Sequence, residues 1–144
     1  MHLYIASMAR YIAFDWGERR TGIAVTDNNA IIATPLETVD TDELKKRVHS
    51  LIKEEACAGL VIGVPGLIIG STTNSTDGIN EFVRFLENTF PDIAIYKVDE
   101  GSTSTEAMSA LISGGMKKKK RSKKGALDKV AAAIILQRFL ESNY

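Results

Sequence analysis

The stretch Tyr11-Ile-Ala-Phe-Asp-Trp-Gly-Glu-Arg-Arg-Thr-Gly-Ile-Ala-Val-Thr-Asp27 decides the fold. It reads as an apolar strand ending in Asp15, a turn carrying Gly17, and a second strand from Thr21 to Thr26. A carboxylate at a strand end, beside glycines that keep the turn bare, suits a place where a phosphate or a metal ion approaches the backbone. The same residues also make an ordinary β-hairpin with one exposed aspartate. Carboxylates elsewhere in the chain decide between the two readings.

Downstream, Asn28-Asn29 supplies two residues tolerant of positive φ, as a tight hairpin needs, and Ala30–Ala33 follows as a third strand. The three strands form an antiparallel meander that Pro35 ends. Thr41-Asp42-Glu43 opens a helix with a capping residue and acids in its first turn. Leu44, Val48, Leu51 and Ile52 recur at helical spacing to about Ala56, a helix-like run that takes in Cys57. Gly59-Leu-Val-Ile-Gly63 is a continuous apolar run, the pattern of a strand covered on both faces. Helix then strand predicts a right-handed crossover, with this strand parallel to the first.

A loop with Pro65, Gly66 and Gly70 leads to a helix capped by Ser75 or Thr76, with Ile79, Phe82, Val83, Leu86 and Phe90 on one face. Ile93–Val98 is a further strand, stopping at Asp99-Glu100. Thr103–Ser113 reads as a helix, and the run 117–124 as a mobile basic loop. The last helix starts near Ala126 and carries Leu127, Val130, Ala131, Ile134, Ile135 and Phe139, with Asp128 in its first turn. The expected fold is α/β: a mixed five-stranded sheet, three strands antiparallel and two parallel, with helices on its faces.

The chain has 144 residues, so one domain with a full core is expected over residues 10–142, and residues 1–9 read as an upstream extension. One cysteine excludes an internal disulfide framework, and no apolar run reaches membrane-spanning length. A cytoplasmic protein without membrane contact is expected, as a monomer or homodimer. Eighteen basic and eighteen acidic residues balance, but residues 101–144 hold nine Lys/Arg against three Asp/Glu. Such asymmetry presents a basic surface to a polyanion, whereas a lysine run that only solubilises a loop is the plainer alternative.

In such a sheet the C-terminal ends of the first strand and the two parallel strands share one edge, where open α/β sheets bind ligands. Asp15 and Asp99 or Glu100 become neighbours there. Asp128 joins them if the last helix brings its N-terminus to that edge. Three carboxylates repel one another unless a cation compensates, and oxygen-only ligands favour Mg²⁺ or Mn²⁺. Each acid taken alone has a duller explanation as a turn, strand-end or helix-start residue.

Several motifs together carry a family resemblance. Asp15-x-Gly17-x-Arg19-Arg20-x-Gly22-x-Ala24-x-x-Asp27, Val61-Ile-Gly-Val-Pro65 with Gly70-Ser71, and Val98-Asp-Glu-Gly-Ser-Thr-Ser-Thr-Glu-Ala107 come first, in that order. The fourth is the basic run leading to Asp128-Lys-x-Ala-Ala-x-Ile-Ile-Leu-Gln137. Over about Arg10 to Glu141 the chain resembles the Holliday-junction-resolvase-like family, also known as pre-16S rRNA nucleases. The resemblance implies a ribonuclease-H-like fold and a metal-dependent nuclease, a hydrolase in ribosome biogenesis and rRNA processing that trims the 5′ end of pre-16S ribosomal RNA. It places catalysis and Mg²⁺ or Mn²⁺ binding on Asp15, Glu100 and Asp128. Nucleic-acid binding falls to Arg19, Arg20, Lys117, Lys118, Lys119, Lys120, Arg121, Lys123 and Lys124. Asp99 is the weaker candidate, because adjacent strand residues point to opposite faces. One departure stands out: Gly101 occupies a position where the family usually has arginine.

Three competing readings remain open at this point. A resolvase acting on branched DNA shares the chemistry, and a non-catalytic nucleic-acid-binding module would share the fold and the basic loop. A nucleotide-binding phosphotransferase also begins with an Asp-x-Gly hairpin, but it needs a second such domain.

Overall fold

The structure is a computed structural model, and it describes residues 9–65, 74–101 and 125–143. Strands β1 (Arg10–Asp15), β2 (Arg20–Thr26) and β3 (Ala33–Asp40) lead into a 3₁₀ turn (Thr41–Glu43) and helix α1 (Leu44–Glu54). Strand β4 (Cys57–Val64), helix α2 (Asn74–Thr89), strand β5 (Ala94–Asp99) and helix α3 (Ala126–Asn143) complete the order. The sheet runs β3-β2-β1-β4-β5, with β1–β2 and β2–β3 antiparallel and β1–β4 and β4–β5 parallel. This is the mixed α/β sheet read from the sequence, and β1 is its central strand.

Alternation along the strands divides the core in two. Ile12, Phe14, Ile23, Leu60 and Ile62 face α1 and α2, meeting Leu44, Val48 and Leu51 on one helix and Ile79, Phe82 and Leu86 on the other. Ala13, Ala24 and Val61 face the opposite way, onto Ala132, Ile135, Leu136, Phe139 and Leu140 of α3. The first layer is built from large side chains and the second, on the sheet side, from small ones. Helix α3 therefore lies close to the sheet backbone. Of the residues expected to pack, Ala131, Ile135 and Phe139 are buried, together with Ala132, Leu136 and Leu140, whereas Leu127, Val130 and Ile134 are half-buried. The buried residues stand three, four, seven, eight, eleven and twelve positions beyond Asp128, so they share its side of the helix.

Five details differ from the sequence expectation. Strand β3 starts at Ala33 and passes through Pro35, because it is the sheet edge and the pairing shifts between Ile23 and Ala24, opposite that proline. The β2–β3 turn places positive φ on Ala30 (56°), not on the asparagines. Its organiser is the Asp27 carboxylate, which accepts the amides of Ile31 (2.8 Å) and Ile32 (3.0 Å). Cys57 opens β4 instead of lying in a helix, and its thiol donates to the Gly59 carbonyl (3.4 Å).

Thr41 caps no helix. Its hydroxyl donates to the Gly17 carbonyl (2.6 Å) and lies 2.9 Å from the Thr21 hydroxyl, while its amide donates to the Arg19 carbonyl (2.9 Å). It thus ties the β1–β2 turn to the end of β3. Helix α2 begins at Asn74, ahead of both expected caps. The expected helix Thr103–Ser113 and most of the extension 1–9 fall outside the described residues. Thr41→Val removes the tie and leaves the fully buried Thr21 hydroxyl without that partner. A loss of about 1–3 kcal/mol in urea unfolding is expected.

Candidate active site

Asp15 ends β1, and its strand partner is Gly22 on β2. By alternation Asp15 shares the α3 side of the sheet with Ala13. On β5, Tyr96 and Val98 pack on that same side, so Glu100, two residues beyond, continues it and Asp99 does not. The Glu100 amide extends the β4–β5 pairing by donating to the Val64 carbonyl (2.9 Å). Asp99 is exposed and folds back to accept the Gly101 amide (2.9 Å).

Two glycines let α3 complete the site. A Cβ on Gly22 would overlap the backbone carbonyl of Asp128, and one on Gly63 would overlap Cδ1 of Ile135. The first turn of α3 therefore sits against β2 next to Asp15, and its third turn against the end of β4. The start of α3 is fixed from β3 as well, where the Thr38 hydroxyl donates to the Gly125 carbonyl (2.5 Å) and Gly125 adopts φ 93°. Left-handed geometry with Thr38 in contact explains why that residue is glycine.

Asp15 feels both of the other acids. Burial, then the charges of Glu100 and Asp128, then a side-chain hydrogen bond to Glu100 push the Asp15 pKa from 3.8 up to about 7. The Glu100 carboxyl is also raised, chiefly by burial and against the hydrogen bond from Asp15. Below neutral pH in the ion-free protein, Asp15 favours its protonated form beside Glu100. Asp128 is half-buried and ion-paired with Arg20 (Nε to Oδ2, 3.1 Å). Among the described residues no three His, Cys, Asp or Glu side chains are already drawn into a cation cage. The donor set nonetheless fits a hard cation: it is all oxygen, and burial and mutual repulsion leave a carboxyl that ionises only with difficulty.

Of the expected site residues, Asp15, Glu100 and Asp128 converge at one sheet edge. Arg20 joins them through Asp128, where the sequence reading had it free to grip nucleic acid, and Arg19 is exposed. Lys117, Lys118, Lys119, Lys120, Arg121, Lys123 and Lys124 fall outside the described residues. The sequence reading missed the seating role of Gly22 and Gly63. Counting the hairpin register from Asp15 would have placed Gly22 beside it.

With the geometry in place, comparison with known proteins becomes informative. The family model described as "RuvX: Holliday junction resolvase" matches residues 9–142. The chain belongs to this family. It is 39% identical over 135 residues to a protein of Bacteroides fragilis, covering 94% of this chain and 98% of that one. A protein of Christiangramia forsetii is 41% identical over 133 residues, covering 92% and 98%. Both carry the provisional name pre-16S rRNA nuclease. Among solved structures, Thermus thermophilus RuvC in complex with a Holliday junction substrate superposes with a TM-score of 0.58 at 14% identity, covering 94% of this chain and 96% of that one. A second Thermus thermophilus RuvC structure gives a TM-score of 0.51 at 14% identity, covering 92% and 95%. The fold is thus that of RuvC and the ribonuclease-H-like proteins. Membership makes the chain a hydrolytic nuclease acting on nucleic acid, and implies the use of a divalent cation. Among the described residues no helix is long and apolar enough to cross a membrane.

Two stability measurements follow from this geometry. Gly22→Ala pushes a methyl into the α3 backbone, and a loss of about 3 kcal/mol in denaturant unfolding is expected. Asp15 holds its proton more tightly folded than unfolded, so its contribution to stability declines as pH rises from about 4 to about 7. Without divalent cations, Asp15→Asn is expected to be more stable than the parent at pH 8, by on the order of 2 kcal/mol. That gap should close near pH 4 in thermal melts.

Proposed function

We propose that the chain hydrolyses phosphodiester bonds in structured RNA, with the 5′ end of pre-16S ribosomal RNA as its substrate and Asp15, Glu100 and Asp128 as its catalytic carboxylates. The observation that carries this reading is the seating of Asp128 against Gly22, the strand partner of Asp15, with Glu100 on the same side of the sheet. The raised Asp15 pKa, with Glu100 and Asp128 among its causes, supports it. The name carried by relatives matched over nearly their full length supports the choice of substrate.

The three carboxylates would hold Mg²⁺ or Mn²⁺. A divalent cation bound there supplies activation of a water and stabilisation of charge on the scissile phosphate. Asp15 must release its proton for this, so binding is expected to tighten as pH rises through about 7. Arg20 keeps Asp128 aligned at the mouth of the site and offsets part of the local negative charge. Arg19 and the basic run from Lys117 to Lys124 hold the substrate backbone through phosphate contacts that carry no sequence information.

The test is a cleavage assay with precursor RNA, duplex RNA and four-way DNA junctions, with and without Mn²⁺. Metal-dependent cleavage of the precursor is expected. Asp15→Asn should reduce it by more than about a hundredfold, the upper range of loss seen even for indirect ligand partners. Cleavage of junctions in preference to the RNA would move the substrate to branched DNA. Retained cleavage by an Asp15→Asn, Asp128→Asn double variant would exclude the site.

A further inference from the structure

Arg138 lies on α3 three turns beyond Asp128, yet it reaches the other end of the site. Its Nη1 donates to the carbonyl of Glu100 (2.7 Å) and to that of Asp99 (3.0 Å). The Glu100 amide is already bonded to the Val64 carbonyl (2.9 Å). Both backbone groups of Glu100 are therefore engaged, which fixes the direction in which its side chain leaves the chain. Immediately afterwards Gly101 turns back with φ 44°, a conformation that favours glycine. A Cβ at Gly101 would stand 3.4 Å from the same Nη1, so the Arg138 guanidinium lies against the face of this turn.

We propose that Arg138 is a positioning residue for the nuclease: by clamping the Asp99 and Glu100 carbonyls it holds the Glu100 carboxylate in place to bind the divalent cation. This rests on the reading of Glu100 as a cation ligand. The physical case is one of leverage. Asp128 and Arg138 belong to one rigid helix, and the glycine contacts at Gly22 and Gly63 fix that helix on the sheet. Arg138 therefore couples the position of Glu100 to that of Asp128. Among the described residues, the other tether beyond Glu100 is the exposed bond from the Gly101 amide to Asp99, which water competes with readily.

The test is calorimetric binding of Mn²⁺ alone to the full chain and to Arg138→Met, Arg138→Lys and Glu100→Gln, with thermal melts confirming that each is folded. Arg138→Met is expected to weaken Mn²⁺ binding about tenfold, as loss of a group that orients a ligand does. Arg138→Lys, which keeps a cationic donor, is expected to recover most of it. Should Arg138→Met fail to fold, Arg138→Gln takes its place, with the same loss expected. Unchanged affinity in the Met or Gln variant, with binding lost in Glu100→Gln, overturns the proposal and leaves the carboxylate site standing. A loss that lysine does not recover also overturns it. Unchanged affinity in Glu100→Gln removes the carboxylate reading itself, and the proposal with it.

Discussion

The close seating of α3 on the sheet is the constraint on which the site depends. A helix packed on ordinary side chains would hold its backbone well away from the strands. Here Gly22, Ala13, Ala24 and Gly63 strip the sheet surface, and the helix backbone at Asp128 fills the space a Cβ on Gly22 would take. The opposite face, with Phe14, Ile62 and Phe82, is built from bulk and supports the sheet without forming the site. One face serves stability through large apolar burial, and the other serves proximity through the absence of side chains.

Proximity has an electrostatic consequence. Asp15 lies among burial, Glu100 and Asp128, and keeps its proton to near neutral pH. Such an arrangement is costly to the ion-free fold, because like charges in a partly dry pocket disfavour ionisation. On the proposed reading, a cation bound there would reverse the sign of that effect and turn the neighbouring carboxylates into its ligands. The Arg20–Asp128 pair, partly open to solvent, offsets some of the repulsion in the meantime. An exposed pair of this kind contributes little to stability, so its value lies in orientation.

The architecture was legible because its signals are local: an apolar run ending in Asp15, a glycine-bounded run at Gly59–Gly63, and helical spacing in α1 and α2. The approach of Asp15 to the Asp99-Glu100 pair followed from topology, since parallel strands deliver their C-terminal ends to one edge, whereas Asp128 was expected there only if the last helix brought its N-terminus to that edge. The family resemblance preferred Glu100 to Asp99, and the parity of β5 agrees with that preference. Other features depend on tertiary context and left weaker traces. Pro35 reads as a strand terminator until β3 is known to be an edge strand that shifts register there. Thr41 looks like a helix cap, because nothing nearby in sequence shows that Gly17 and Thr21 claim its hydroxyl. Arg138 gave no signal at all, its partners being nearly forty residues away on another element. Of the apolar residues expected on α3, Ala131, Ile135 and Phe139 are buried and Leu127, Val130 and Ile134 half-buried, because apolar residues surround that helix and spacing alone does not select the packed side.

The most direct measurement is a carboxyl NMR titration of Asp15 in the protein freed of divalent cations, repeated in Glu100→Gln and with Mg²⁺ present. A midpoint near 7 in the parent is expected, falling in Glu100→Gln and disappearing from the neutral range when the cation binds. A midpoint near 3.8 that neither change moves would mean that the three acids do not form one site.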